Sequence, residues 1–103
     1  MATADLTILT LGRPDPSASG YIAAIQRHLQ QQDRVKFELH GMGTSLEGEV
    51  ADILAIVGEL HALPFEQGAP RVYTVLKLDE RRDKPGQTLA DKVASVEAKL
   101  AED

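Results

Sequence analysis

The chain has 103 residues, 43% of them hydrophobic and 26% charged, with two Tyr, two Phe and no Trp; this suits one domain around an aliphatic core and is too short for separate cofactor and substrate domains. A net charge of -5, with eleven basic residues scattered apart from Arg81-Arg82, offers no positive field to nucleic acid or to anionic membranes. The absence of cysteine excludes disulfides, thiolate metal sites and thiol nucleophiles.

Met1 to Asp5 has neither a basic start nor a long apolar run, so no secretory signal or spanning helix is expected and the cytoplasm is the expected location. Leu6 to Leu11 mixes apolar and small polar residues at strand length and ends in Gly12-Arg13-Pro14-Asp15-Pro16, where two prolines forbid continuation. Ser17 and Ser19 are alternative N-caps for a helix running to about Gln32. Ile22, Ile25 and Leu29 mark its apolar side, with Gln26, Arg27 and Gln30 to Gln32 turned outward. Val35, Phe37 and Leu39 then alternate with Lys36, Glu38 and His40, the pattern of a strand with one buried face. The run Gly41 to Gly48, with glycines on both sides of Met42, is too short for a crossover. It reads as a hairpin partner or bulged strand, irregular and with exposed backbone.

Glu49 opens a second helix with Val50, Ile53, Leu54, Val57, Leu60 and His61 on one side, and Gly58 and Pro64 predict a kink or an early end near Leu63. Arg71 to Leu78 is the last main strand, with Val72, Thr74, Leu76 and Leu78 on one face and Tyr73, Val75, Lys77 and Asp79 on the other. After the charged turn Asp79 to Gly86, Thr88 caps a third helix with Asp91 at its third position. Its narrow stripe of Leu89, Val93, Val96 and Leu100 can dock on its own sheet or on a neighbouring subunit.

The order β-α-β-β-α-β plus a final helix packs as an α+β, ferredoxin-like antiparallel sheet, one domain over residues 1–103. Right-handed crossovers put the first two helices on one face. The other face then carries Tyr73 and Val75 with either Leu6 and Ile8 or Leu9 and Leu11. Monomers seldom leave such a patch in water, so a homo-oligomer is expected.

Three stretches resemble the thiamine-binding protein superfamily. They are Ser17-Ala-Ser-Gly-Tyr21, His40-Gly-Met-Gly-Thr-Ser-Leu-Glu47 and Arg71-Val-Tyr-Thr, the last followed by Leu78-Asp-Glu-Arg-Arg-Asp83 and Asp91-Lys-Val-Ala-Ser-Val96. The resemblance implies a ferredoxin-like subunit in dimers or tetramers, with members that bind thiamine or its hydroxymethylpyrimidine portion, and it does not imply catalysis. The chain departs from the pattern at Asp15-Pro16, which stiffens the loop before the serine pair, and at Pro64 in the second helix.

An aminopyrimidine needs a carboxylate or carbonyl acceptor, a hydroxyl and flat apolar walls. On the resemblance, Glu47 is assigned as acceptor for the amine, Thr44 and Ser19 as hydroxyl partners, and Met42 and Tyr21 as walls. Four of them have a structural alternative: Glu47 as a carboxylate starting the second helix, Ser19 or Ser17 as the cap of the first helix, Thr44 as a turn hydroxyl, Met42 as core filler. Arg81, Arg82 and Asp83 read as a solvated turn. His28, His40 and His61 are too far apart in sequence for a helical metal pair, so neither a metal nor a cofactor is expected. With no nucleophile elbow, phosphate loop or paired carboxylates, the chain reads as a non-enzyme. The alternatives are a small dimeric enzyme using His40 and Glu47 as an acid–base pair, or a purely structural or regulatory oligomer.

Overall fold

Strand alternation and helical spacing resolve, in a computed structural model describing residues 1–102, into seven elements. These are β1 (Ala2–Leu11), α1 (Ser19–Gln30), β2 (Lys36–His40), β3 (Gly43–Gly48), α2 (Val50–Glu66), β4 (Arg71–Glu80) and α3 (Leu89–Leu100). The sheet runs β2-β3-β1-β4 with every neighbour antiparallel. This is the ferredoxin-like arrangement read from the sequence, with β1 at the centre.

One face carries the core. Ala2, Ala4, Leu6 and Ile8 of β1 and Leu46 of β3 meet Tyr21, Ile25 and Leu29 of α1 and Ile53, Ile56 and Leu60 of α2. Ile53, Ile56 and Leu60 are fully buried, each contributing roughly 1.5–3 kcal/mol of transfer free energy. At the surface Glu59 ties the two helices together: Oε1 lies 2.9 Å from His28 Nε2 and Oε2 accepts from Arg34 at 3.0 Å. The hydrogen bond from His28, followed by that from Arg34, holds the Glu59 carboxyl below its ordinary range.

Several boundaries differ from the sequence reading. β1 starts at Ala2, four residues early, because small Ala2 and Ala4 are buried without giving a strong apolar signal. Neither Ser17 nor Ser19 caps α1. Ala18 holds the N-cap position, and the two serine hydroxyls lie 3.2 Å apart on each other instead. α1 ends at Gln30, and Gln32 folds back: its Oε1 accepts the Val35 N–H while Nε2 donates to the Leu29 and Val35 carbonyls, all at 2.9 Å. β3 is a regular strand, joined to β2 by the two-residue turn Gly41-Met42. α2 continues through Pro64 to Glu66. In a last turn the proline sacrifices a single helical hydrogen bond, its ring is fully buried, and its carbonyl accepts from Gln67 and Ala69 at 3.1 and 3.0 Å.

The opposite face is bare except at one end. Thr3 pairs with Glu47 on one side and Asp79 on the other, so three polar side chains cross the sheet in a row. The row holds the start of α3. Glu47 Oε1 accepts the Leu89 N–H at 2.7 Å, and Lys92 Nζ donates to Thr3 Oγ1 at 2.7 Å and pairs with Asp79. The predicted capping box is present: Asp91 N–H donates to Thr88 Oγ1 at 3.0 Å and Thr88 N–H to Asp91 Oδ2 at 2.9 Å. That second bond is the main reason the Asp91 carboxyl sits below its usual range. No residue of α3 is buried, so its stripe of Val93, Val96 and Leu100 faces outward. Arg81 pairs with Asp83, and Arg82 with Glu80 at 3.0 Å, which closes the charged turn on itself. Among the described residues no helix is long and apolar enough to cross a membrane.

Glu47→Ala removes a carboxylate from a helix start, an interaction worth about 1 kcal/mol. The expected result is faster amide exchange at Leu89 and through the first turn of α3, with exchange of the α1–α2 core unchanged. Uniform loss of protection would place Glu47 in the core's stability instead.

Candidate ligand-binding site

β1 outruns its neighbour. It pairs with β4 along its whole length, from Ala2 to Leu11, but with β3 only from Ala2 to Leu6. Where the β2–β3 hairpin turns away, the sheet edge steps back beneath the start of α1 and leaves a cavity of about 200 Å³. Its walls are Leu6 to Leu9 of β1, Ala18, Tyr21, Ile22 and Ile25 at and in α1, and the continuous run Leu39 to Thr44.

Local contacts hold the turn against this cavity. Gly43 lies so close to β1 that a Cβ there would be 2.4 Å from the Leu6 carbonyl oxygen. Thr7 Oγ1 donates to the Met42 carbonyl at 3.1 Å. Met42 N–H donates to His40 Nδ1 at 3.4 Å, which leaves the proton on Nε2 to donate to Asp5 Oδ1 at 3.0 Å. Thr44, 5% exposed, accepts from Gln26 Nε2 at 3.1 Å. Tyr21 is buried, and the Arg13 guanidinium lies 5.9 Å from its ring centroid, within cation–π range. Met42 is 83% exposed at the mouth. The result is an apolar slot with a few polar groups at its edge, the form that takes small flat ligands.

The structure therefore brings Tyr21, Met42 and Thr44 together. It does not bring Ser19 or Glu47 to them. Ser19 is exposed at the start of α1, engaged with Ser17. Glu47 is three positions from Thr44 on the same strand, and an odd offset turns a side chain to the opposite face, where Glu47 receives α3. His40 and Glu47 sit at opposite ends of the hairpin, pairing with Gly43 and Lys36, roughly 13 Å apart along the strands. Each is engaged elsewhere. His28 bonds Glu59 and His61 bonds Thr74, and among the described residues no group of three or more metal-ligating side chains converges.

Some lining residues have no signature in the sequence. Leu6, Ile8, Ile22 and Ile25 are core by pattern and become cavity walls because the neighbouring strand stops short. Gln26, read as turned outward, is partly buried on Thr44. The usable signal was the pair of glycines around Met42, which marks a place where backbone approaches backbone.

The sequence model of the thiamine-binding protein family matches residues 4–97. The Bacillus subtilis protein YqgV is 41% identical, over 97% of this chain and 98% of its own. An uncharacterised protein family member from Methanothermobacter thermautotrophicus is 43% identical, over 97% and 100%. Among solved structures, a hypothetical protein of Methanocaldococcus jannaschii superposes with a TM-score of 0.80 at 33% identity, covering 92% of this chain and 94% of that one. A Thermotoga maritima protein, described as a candidate thiamine biosynthesis/salvage protein, gives 0.74 at 25% identity, covering 92% and 97%.

Gly43→Ala forces its methyl against a main-chain carbonyl, so the hairpin must shift away from β1. A loss of roughly 1–3 kcal/mol is expected, as for other overpacked sites. Gly41→Ala is the control, since a Cβ there meets nothing within 4 Å. Denaturant melts of both variants check the difference, and equal midpoints would mean that β1 and β3 do not touch as described.

Proposed function

The chain belongs to the thiamine-binding protein family, and on that premise we propose that it binds thiamine or a related aminopyrimidine such as hydroxymethylpyrimidine, without catalysis, as a homodimer or homotetramer. The observation that carries the ligand reading is the cavity between α1 and the β2–β3 turn, because Tyr21, Met42 and Thr44 meet there. Its volume of about 200 Å³ suits a single substituted ring, and its apolar walls suit the two faces of an aromatic heterocycle. A second ring would extend past Met42 towards solvent. The only titratable side chains in the lining are Tyr21 and His40. His40 is engaged with Asp5 and the Met42 main chain, an arrangement that orders the turn and supports a binding role over acid–base chemistry.

Self-association is supported by the bare face. Leu9, Leu11, Tyr73 and Val75 stand side by side on β1 and β4, each more than a third exposed. Val93, Val96 and Leu100 of α3 are exposed as well. A second copy of the same face would bury it, since an isologous contact needs only a self-complementary patch.

Calorimetric titration with thiamine and with hydroxymethylpyrimidine should give saturable heat and no turnover. Turnover would favour an enzyme, and silence towards both compounds would leave a structural or regulatory oligomer. Met42→Ala removes an apolar wall that contributes little to the unliganded fold. It should weaken binding by about 3- to 10-fold, equivalent to burying part of one side chain, with an unchanged melting temperature.

Sedimentation at micromolar concentration should give a dimer or tetramer. Val75→Asp should shift it to monomer, because an unpaired charge in a buried interface costs several kcal/mol. Unchanged assembly would place the contact on another surface.

A further inference from the structure

In an antiparallel ladder the N–H and C=O of one residue point to the same side in the plane of the sheet, and successive residues alternate sides. Leu6 pairs with Thr44 and aims its carbonyl at β3, as its approach to Gly43 shows. Ile8, two residues on, has the same orientation. Thr7 and Leu9 turn the other way, towards Val75 and Tyr73 of β4. Beyond Leu6, however, β3 has no residue left to pair, and the Met42 carbonyl accepts from Thr7 Oγ1 and not from the Ile8 N–H. The Ile8 N–H and C=O therefore have no partner among the described residues. Yet Ile8 as a whole, main chain included, is only 4% exposed.

Buried main-chain polar groups are nearly always paired. The cavity touches Leu6, Thr7, Ile8 and Leu9 in succession, residues whose side chains alternate between faces, so it abuts the edge of the strand and not just one side. Thr10 shares the parity of Ile8 but does not line the cavity. A donor and an acceptor thus stand next to each other at one point of an apolar slot.

We infer that the free main-chain edge of Ile8 is the hydrogen-bonding element of the cavity and that it selects planar heterocycles with an amidine edge, an exocyclic amine beside a ring nitrogen. The Ile8 N–H donates to the ring nitrogen, and its carbonyl accepts from the amine. Tyr21 and Met42 contact the flat faces of the ring. This deepens the aminopyrimidine reading and rests on it. It also supplies the amine's acceptor from the backbone, so Glu47 is not needed in the site.

The test uses the full-length wild type labelled with nitrogen-15, with hydroxymethylpyrimidine, its dimethylamino counterpart and plain 4-aminopyrimidine as probes. Saturation with hydroxymethylpyrimidine should move the Ile8 amide proton downfield and slow its exchange by about tenfold or more. The ladder amides of Leu6, Thr7 and Leu9 should already be protected without ligand. The dimethylamino compound, which has lost the donor, should bind about tenfold more weakly or worse. Saturable heat from hydroxymethylpyrimidine on the same sample, with the Ile8 amide unmoved, overturns the edge inference and leaves the aminopyrimidine reading intact. A response of Ile8 to 4-aminopyrimidine without any binding of hydroxymethylpyrimidine or thiamine supports the edge and removes the thiamine-type ligand. Silence from every probe removes both.

Ile8→Pro gives a second measurement, because it deletes an N–H that makes no ladder bond. A folded Ile8→Pro should bind about tenfold more weakly, while Ile8→Val keeps the wild-type affinity; equal affinity of folded Ile8→Pro also overturns the inference. Where Ile8→Pro fails to fold, the wild-type amide measurement decides.

Discussion

The length mismatch between β1 and β3 governs this molecule. β1 is paired on both sides only over residues 2–6 and on one side only over residues 7–11. The doubly paired half gives Ala2, Ala4 and Leu6 to the core. The singly paired half provides the step in the sheet edge, and the start of α1 roofs that step into a cavity. A hairpin two residues longer would pair Ile8, fill the step with strand, and leave no slot. Gly43 makes the mismatch possible, because the first residue of β3 must pass within van der Waals reach of the Leu6 carbonyl.

The same strand sorts polar from apolar groups by parity. Its even residues Ala2, Ala4, Leu6 and Ile8 are in the core, while Thr3, Asp5, Thr7, Leu9 and Leu11 face the other way. On that second face the polar residues cluster at one end, where Thr3 joins Glu47 and Asp79 to hold α3. The apolar ones cluster at the other end. One sheet face is thus divided into an intramolecular anchor and a surface that wants a partner, and α3 covers the first without covering the second.

Parity also separates what was legible in the sequence from what was not. The fold followed from periodicity: Val35 to His40 and Arg71 to Leu78 alternate, and the helices show their stripes. The region Gly41 to Gly48 was the weak point. Read as irregular, it let Thr44 and Glu47 be treated as neighbours in one site, whereas a regular strand puts residues three apart on opposite faces. Tyr21, Met42 and Thr44 were legible as a group because the turn and the first turns of α1 meet at one end of the sheet. Ala18 in the cap position, Gln26 turned inward and Pro64 inside α2 were not, since tertiary contacts decided each of them against local preference.

A site that reads its ligand through main-chain groups leaves little trace in residue identity. Any side chain at position 8 carries the same N–H and C=O, provided that it is not proline and that it packs in the core. What such a site does require is a backbone brought into register and a neighbour kept short, and both conditions fall on glycines and on strand length. That explains how the turn Gly41-Met42-Gly43 can matter to binding although neither glycine offers a functional group. It also predicts where variation is tolerated. Walls such as Ile22 and Met42 can change with the shape of the ligand, whereas a Cβ at Gly43 or one more residue pair in the hairpin alters the edge that every ligand would have to meet.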